Sequence, residues 1–436
     1  DQDRLSIVYP RSLWLKYPVL AQKSLSENLA FALTFHLPFI SGINQLQYQM
    51  ERPQTSEIIK EGFKCSLPST AMLKSEKTSE LLKKFSAIQY HFDETTREDN
   101  AFYPFQTTKP SAVSTFTFGK DSLLTLGLCQ ELGIKPHPVF VKEPLTQREN
   151  VQKEKLAKQF EIEFKEKILF INNEVGMLRE TYKDKHDEGW YGWELQLTHF
   201  GMILLPVIFA KKARYMFFSN EQSCNDKFRD AEGFWCNPVY EQSAEWMSKM
   251  EEMAKMMGME DLKIASLVEP IHEIAVVKIL NNRYPQLAKY QMSCGEDRPG
   301  EDDYRWCESC SKCARNYIFL LANKVDPKKV GIKNSLLDLK HKNKYSLFES
   351  CDSKDYGYDS SGLGRDEQLL AFFLAYKNGY RGQLINLFKK NYLEEARARE
   401  KELKAKFFGI HPSYTIPEEL KDKVLEIFKN ELSPYL

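Results

Sequence analysis

Short apolar runs alternate with helix-like segments between about residue 111 and residue 280, and this alternation constrains the fold more than any other feature of the sequence. The apolar runs lie at residues 112–116, 138–141, 168–171, 215–218 and 264–268. Helix-like segments separate them, at residues 122–132, 147–159, 199–211 and 273–280. Parallel strands need such crossover helices, and burial of both sheet faces makes each strand a short apolar run. The sequence therefore predicts an α/β fold around a parallel sheet.

The regions that flank this alternation differ from it and from each other. In the N-terminal region, alternate apolar positions over 29–37 favour a half-buried strand, and apolar residues at helical spacing favour a helix over 79–92. Pro104 and Pro110 mark the end of that region. The C-terminal region is charged and mostly helical by pattern. The domains that we predict are an α+β module over 1–108, the sheet-containing domain over 109–330 and a mostly helical region over 331–436.

The composition is that of a globular protein with a sizeable core. The 436 residues are 42% hydrophobic and 28% charged, and 61 basic side chains balance 61 acidic ones. The zero net charge disfavours a protein that coats nucleic acid or a membrane surface. The longest apolar stretch, residues 200–210, is shorter than the ~20 residues of a spanning helix. The N-terminal segment is charged, and we expect a cytoplasmic protein without a membrane span.

The segment S-T-F-T-F-G-K-D-S at residues 114–122 lies where the first predicted strand meets the following helix. A helix N-terminus presents unpaired N–H groups and the positive end of the helix dipole, which attract anions. Gly119 lets the backbone approach a phosphate, Lys120 adds a positive charge, and Asp121 is a candidate ligand of Mg2+. We therefore predict a phosphate-binding loop; the alternative is an ordinary strand–turn–helix with an N-terminal cap. The residues assigned to this loop are Ser114, Thr115, Thr117, Phe118, Gly119, Lys120, Asp121 and Ser122.

Candidate residues also follow other predicted strands, whose carboxyl ends would share one edge of a parallel sheet. Val141 ends the second strand. After the fifth strand, His272 is either a base or a partly exposed surface residue, and Glu269 lies near it. Arg298 and the turn at 360–365 are weaker candidates for binding an acidic group, and ordinary loops are the expectation there. Four polar residues follow the fourth strand and are candidates for contact with Mg2+, ribose or substrate; the alternative is an ordinary polar turn. They are Asn220, Glu221, Ser223 and Asn225.

Four cysteines are spaced as ligands of one metal ion. Cys294 is followed by the run C-E-S-C-S-K-C, which supplies Cys307, Cys310 and Cys313. Four thiolates satisfy a tetrahedral Zn2+ and leave no open position, so we predict a structural zinc site rather than an iron–sulfur cluster. The nine cysteines are odd in number, which fits a reducing compartment better than a disulfide framework.

Residues 117–122 resemble the S-G-G-x-D-S loop of the PP-loop ATP pyrophosphatase superfamily. Thr117 stands in place of the serine and Phe118 in place of the first glycine. The resemblance implies an adenine nucleotide alpha hydrolase-like core over 109–330, with ATP and Mg2+ at the loop. Members of the superfamily split ATP between the α and β phosphates and adenylate a substrate. The catalytic residues that the resemblance implies are Lys120, Asp121 and Ser122.

The order of motifs over about residues 111–350 is similar to that of two families. The loop followed by one cysteine and then C-x2-C-x2-C resembles the 7-cyano-7-deazaguanine synthase family, which uses ATP and ammonia to convert a carboxylate to a nitrile. The blocks FFSNEQSCND, SLVEPIHEIAVVKILNNRYP and WCESCSKCARNYIFLLA resemble the UDP-N-acetylmuramoyl-L-alanyl-L-glutamate epimerase family, which activates a glutamate carboxylate and inverts its α-carbon. Residues 193–200 and 235–242 depart from the epimerase pattern.

These resemblances imply an enzyme that adenylates a small-molecule or peptide carboxylate and releases pyrophosphate. Two alternatives stay open. One is a deazaguanine-type enzyme that acts on a base or attaches it to a protein partner, and the other is a non-catalytic ATP sensor. A tRNA-modifying enzyme is a weaker alternative, because the even charge balance does not favour a basic RNA-binding module. The sequence allows a homo-oligomer and does not identify the acceptor.

Overall fold

The computed structural model describes residues 4–93, 105, 107, 109–144, 146–180, 194–295, 304–348 and 363–435. Its strands are β1 (Ile7–Val8), β2 (Gln45–Gln47), β3 (Gln89–His91), β4 (Lys109–Thr115), β5 (Lys135–Lys142), β6 (Leu169–Asn173), β7 (Ala213–Phe218), β8 (Phe228–Arg229), β9 (Trp235–Cys236) and β10 (Lys263–Ser266). In this part of the chain a six-stranded central sheet has the order β1-β6-β5-β4-β7-β10. β1 is antiparallel to β6, and all other neighbours in that sheet are parallel. The prediction of an α/β fold with a mostly parallel sheet is therefore confirmed.

Helices connect and cover these strands. In chain order they are α1 (Arg11–Trp14), α2 (Val19–Thr34), α3 (Leu37–Ser41), α4 (Ser56–Lys74), α5 (Thr78–Ser86), α6 (Lys120–Glu131), α7 (Gln147–Phe164), α8 (Met177–Glu180), α9 (Gln196–Lys211), α10 (Ala244–Met256), α11 (Glu273–Arg283), α12 (Pro285–Ala288), α13 (Ser311–Ala322), α14 (Leu363–Lys377), α15 (Gln383–Asn391), α16 (Leu393–Ala398), α17 (Glu400–Phe407) and α18 (Glu418–Leu432). The helices from α14 to α18 confirm the expectation of a mostly helical C-terminal region.

Both faces of the central sheet are buried, because successive residues of a strand point to opposite faces. In β4, Ala112 packs into one core and Val113 into the other. Helices α2, α4, α9 and α10 supply the core on the Val113 face. Helices α6, α11, α13 and α14 supply the core on the Ala112 face, together with the remaining C-terminal helices. The N-terminal and C-terminal regions therefore enclose the sheet between them, and the predicted boundaries at 108 and 330 stay predictions.

The predicted strand over 29–37 is wrong, because helix α2 occupies most of that segment. The helix buries Leu25, Leu29 and Leu33 at intervals of four residues, the spacing of one helix face. It also buries Phe31, since the helix packs on more than one side. A broadly buried helix can therefore place apolar residues at alternate positions, and this alternation also predicts a strand.

The predicted helix over 79–92 is correct only in its first part. α5 ends at Ser86, and Gln89 begins β3, which pairs in parallel with β2. Apolar spacing did not reveal this end of the helix. Among the described residues, no helix combines the length and the apolar composition that crossing a membrane requires.

Candidate functional site

Several of the predicted site residues lie at the carboxyl edge of the sheet, where the strand order changes direction. From β4 the chain moves outward to β5 and β6 on one side, and then to β7 and β10 on the other. Ligands of open α/β sheets bind at such a switch point, between the loops that leave the two central strands. Here those loops are residues 116–119 after β4 and 219–225 after β7. The Thr125 and Ser219 hydroxyls, 3.0 Å apart, connect α6 with the second loop.

The loop after β4 turns into α6 at Gly119, the N-cap residue of that helix. The Thr117 N–H donates to Ser122 Oγ (3.3 Å), and the Ser122 hydroxyl donates to the Gly119 carbonyl (3.0 Å). A Cβ on Gly119 would lie 3.2 Å from Thr117 Oγ1, so glycine keeps the turn narrow. Ser114 is buried in β4, Thr115 is half-buried, and Thr117 is exposed. Ser122 therefore shapes the loop, and Thr117 lies on the side that is open to a ligand.

Phe118 has a left-handed backbone, with φ +56°, at the position where the superfamily loop carries a glycine. This conformation costs a non-glycine residue about 1–2 kcal/mol. The ring is fully buried against Phe116, Phe160 and Tyr290, at centroid distances of 4.8, 5.8 and 6.5 Å. The Phe118 carbonyl accepts the Met292 N–H at 2.7 Å. Burial of the ring offsets the backbone cost, so the bulky residue is compatible with a glycine-type turn.

A cluster of charged groups lies at the start of α6. Lys120 Nζ is 2.8 Å from Asp121 Oδ2 and 2.9 Å from Glu273 Oε1, and Arg315 Nε is 2.9 Å from Glu273 Oε2. Burial alone would raise the pKa of Glu273, but Arg315 and Lys120 hold this pKa below its ordinary value. Burial alone would lower the pKa of Lys120, but its two carboxylate neighbours raise it. Lys120 and Glu273 therefore stay charged although both are buried.

Glu273 and Arg315 were not among the residues predicted from the sequence. Glu273 lies in the first turn of α11, and Arg315 follows the last cysteine of the C-x2-C-x2-C run by two residues. An acidic residue in a first helical turn is common, because it interacts favourably with the helix dipole. Neither local signal points to a phosphate loop more than 150 residues earlier in the chain.

Asp121 has an oxygen without a hydrogen-bond donor. Its Oδ1 atom is buried and has no hydrogen-bond partner among the described residues. Burial raises the pKa of Asp121; Lys120 opposes this effect, and Glu273 adds to it. A buried carboxylate oxygen that lacks a donor is suited to a hard cation such as Mg2+. The arrangement therefore fits the predicted role of Asp121.

The polar residues after β7 have different roles. Asn225 Oδ1 accepts the first N–H of α10 at 2.7 Å, and the buried Asn220 amide lies 3.4 Å from a methionine sulfur. Glu221 accepts the Ser223 N–H (2.8 Å) and the Ser223 hydroxyl. Burial raises the pKa of Glu221 well above its ordinary value, and the carboxylate of Glu367 adds to this rise. Ser223 and Asn225 therefore hold the turn, whereas Glu221 brings a further carboxyl group to the edge, and its raised pKa favours the neutral form.

Two candidates after β10 connect the sheet to the C-terminal region. Glu269 accepts two N–H groups and a hydroxyl from residues 414–415, at 3.0, 2.8 and 2.6 Å. His272 is fully buried, and its Nε2 is 3.1 Å from Asp226 Oδ2. The alternative of a partly exposed surface histidine is therefore wrong. Burial lowers the pKa of His272, despite the opposing effect of Asp226.

The remaining candidates lie away from the charge cluster or outside the described residues. Val141 is buried near the end of β5, in the core on the Val113 face of the sheet. Arg298 and residues 360–362 lie outside the described residues. Residues 363–365 open helix α14 rather than continue a turn, and Arg365 pairs with Glu395 at 2.8 Å. This contact gives Arg365 a structural partner within the C-terminal region.

Cys294, Cys307, Cys310 and Cys313 come together as the spacing predicted. Their Sγ atoms all lie within 4.8 Å of one another, and those of Cys307 and Cys313 are 3.7 Å apart. Four sulfurs about 2.3 Å from one zinc ion would be roughly 3.8 Å apart in a tetrahedron, so the cluster fits zinc. The N–H groups of Cys307 and Cys313 point at Cys294 Sγ (3.3 Å) and Cys310 Sγ (3.4 Å), which favours thiolates. This four-cysteine cluster could therefore hold a metal ion such as zinc.

Comparisons with known proteins do not identify a family for this chain. No known protein family matches the chain, and no curated protein is detectably similar to it. The resemblance of the individual motifs to PP-loop families therefore stays a prediction.

Proposed function

We propose that the protein is an ATP-dependent enzyme that adenylates a substrate carboxylate and releases pyrophosphate. The observation that carries the proposal is the position of residues 117–122. They leave the central strand β4 at the switch point of the sheet and open a 12-residue helix. The sequence resemblance adds ATP as the donor and a small-molecule or peptide carboxylate as the acceptor.

The side chains of the loop support the proposal in two ways. Lys120 is a buried cation at the helix start, where backbone N–H groups and the helix dipole also attract phosphate. Asp121 has an oxygen without a donor, which suits the cation of Mg-ATP. A bound Mg2+ would reduce the repulsion between the triphosphate and the carboxylates at this edge. The same loop could thus hold both the phosphates and their cation.

In the proposed step, an oxygen of the substrate carboxylate forms a bond to the α phosphorus. The bond from that phosphorus to the bridging oxygen breaks, and pyrophosphate leaves with the electron pair. The protein contributes position and charge: the N–H groups at the start of α6 and the Lys120 ammonium stabilise the charge that builds on the leaving group. Ser122 keeps the loop in shape through its bond to the Gly119 carbonyl. The four-cysteine cluster has no open ligand position and stays outside the chemistry.

Asp121→Asn and Ser122→Ala test this proposal, and Asp261→Asn is the matched control. Asp261 is exposed and lies just before β10, at the opposite edge of the sheet. With Mg-ATP and a panel of carboxylates, we expect the wild type to form AMP and pyrophosphate. We expect each loop variant to release pyrophosphate at least ~100-fold more slowly. Asp121→Asn removes the candidate ligand of the cation and Ser122→Ala removes the bond that shapes the loop, and misplacement of reacting groups by about 1 Å can cost about that much.

Three results would contradict the proposal. Formation of ADP and phosphate would exclude cleavage between the α and β phosphates. Normal pyrophosphate release by both loop variants would remove the loop from the mechanism. Binding of ATP without turnover of any carboxylate in the panel would favour the non-catalytic sensor. Circular dichroism of each variant separates a loss of activity from a loss of folding.

A further inference from the structure

The four-cysteine cluster and the phosphate loop are connected through both of the segments that supply the cysteines. On one side, the Met292 N–H binds the Phe118 carbonyl at 2.7 Å, two residues before Cys294. On the other side, Arg315 follows Cys313 by two residues in the first turn and a half of α13. The cluster therefore lies between two groups that contact the loop or its counter-ions.

Arg315 reaches the loop through Glu273. The two oxygens of this carboxylate bind different cations, Oε1 at 2.9 Å from Lys120 Nζ and Oε2 at 2.9 Å from Arg315 Nε. The Lys120 side chain is 8% exposed and the Arg315 side chain 15% exposed, so the arginine is the more accessible of the two. A guanidinium has a planar set of donors that matches two phosphate oxygens at once, which an ammonium cannot do.

We propose that Arg315 is a second phosphate-binding cation of the loop, and that metal binding at the four-cysteine cluster sets its position. The inference rests on the proposed function, because it assigns a ligand group to the same ATP site. Glu273 then serves as the counter-ion that keeps Lys120 and Arg315 side by side before the nucleotide arrives.

The charges of the cluster favour this assignment. Lys120 lies 2.8 Å from Asp121 and 2.9 Å from Glu273, and Glu273 also pairs with Arg315 at 2.9 Å. When Asp121 binds the cation of Mg-ATP, Glu273 is shared between Lys120 and Arg315. Among these four groups the two cations then exceed the remaining carboxylate by one charge, which favours binding of the triphosphate.

Direct binding of Mg-ATP to purified protein, measured by calorimetry, tests the role of Arg315. Arg315→Ala is expected to weaken binding roughly tenfold or more, the usual effect of losing a charge-assisted hydrogen bond to phosphate, and Arg315→Lys to restore part of the affinity. Lys312→Ala is the matched control, because Lys312 is exposed on the same helix, one turn earlier. Arg315→Ala removes one of the two cations beside Glu273, so the remaining carboxylate could itself repel the phosphates. The double variant Arg315→Ala/Glu273→Gln removes that charge too, and its affinity for Mg-ATP is measured as well.

The outcomes separate the inference from the proposed function. If the wild type does not bind Mg-ATP, both fail. If the wild type binds and the folded Arg315 variants bind equally well, only the role of Arg315 is overturned. Weak binding of Mg-ATP by Arg315→Ala and by Arg315→Ala/Glu273→Gln, with normal binding by Lys312→Ala, supports the role of Arg315.

A second measurement tests the contribution of the metal. The metal is removed from the wild type and from Arg315→Ala with a zinc-selective chelator, and metal content and Mg-ATP affinity are followed together. If the metal acts by positioning Arg315, its removal weakens binding by the wild type and has little further effect on the variant, since coupled contributions are not additive. An equal loss of affinity in both proteins would overturn the link between the metal and Arg315.

Discussion

Replacing Phe118 by alanine or by glycine should separate the cost of its backbone from the value of its ring. Both changes delete a fully buried ring that packs in an aromatic cluster. Truncation of a core phenylalanine costs about 3–5 kcal/mol of unfolding free energy. Alanine keeps the burden of a left-handed φ of +56°, whereas glycine adopts that φ freely. The alanine variant bears a backbone penalty of about 1–2 kcal/mol, and the larger entropy of glycine in the unfolded chain offsets part of it. The glycine variant should therefore be about 1 kcal/mol more stable than the alanine variant.

Urea unfolding followed by tryptophan fluorescence measures this difference as a shift in midpoint between the two variants. Phe160 provides the control, because it is equally buried but lies within helix α7. There the order should reverse, with alanine about 1 kcal/mol more stable than glycine. If the Phe118 pair shows the same order as the Phe160 pair, the backbone at Phe118 is not left-handed and the account of the loop fails. The comparison needs no knowledge of the ligand.

Two further predictions concern stability. Burial lowers the pKa of His36 to about 3, and Arg179 contributes in the same direction. In the unfolded chain a histidine has a pKa of about 6.5, so between pH 7 and pH 5 the unfolded state binds a proton that the folded state does not. The free energy of unfolding should therefore fall by about 2 kcal/mol over this range because of His36. His36→Gln should remove that part of the pH dependence, as measured in urea titrations. An unchanged slope would show that His36 is not kept neutral by the fold. Gly62→Ala should lower the melting temperature, because the new methyl group would collide with the Trp246 ring at a cost of about 1–3 kcal/mol. This cost outweighs the preference for alanine over glycine in a helix, which is about 1 kcal/mol. The same change in a Trp246→Leu background should be neutral or stabilising, and an equal loss in both backgrounds would rule out the collision.

Local patterns were enough to predict the parts of the fold that are set by neighbours in the chain. The apolar runs at 138–141 and 215–218 lie within β5 and β7 as observed. Cys307, Cys310 and Cys313, with two-residue gaps, come together with the earlier Cys294 in one cluster, because closely spaced residues on one turn reach the same point. The strand predicted over 29–37 failed for a related reason: periodicity over a few residues does not distinguish a strand from a helix that is buried on several sides.

The candidate site was predicted in part. Gly119, Lys120 and Asp121 were assigned to a phosphate loop because a glycine, a cation and an acid at a strand–helix junction are typical of anion sites, and that role stays a prediction. Glu273 and Arg315 carried no comparable signal, although each is 2.9 Å from a charged partner in the cluster. The aromatic anchor of Phe118 depends in the same way on Phe160 and the distant Tyr290.

The alternation of strands and helices, the narrow turn at Gly119 and the run C-x2-C-x2-C could be predicted from the sequence, because each depends on residues a few positions apart. The charges that meet at that turn could not, because they come from segments far apart in the chain. Parallel strands bring their carboxyl ends to one edge whatever their separation along the chain. Lys120, Glu273 and Arg315 are therefore neighbours in space, and their limited contact with water strengthens the attraction between their charges.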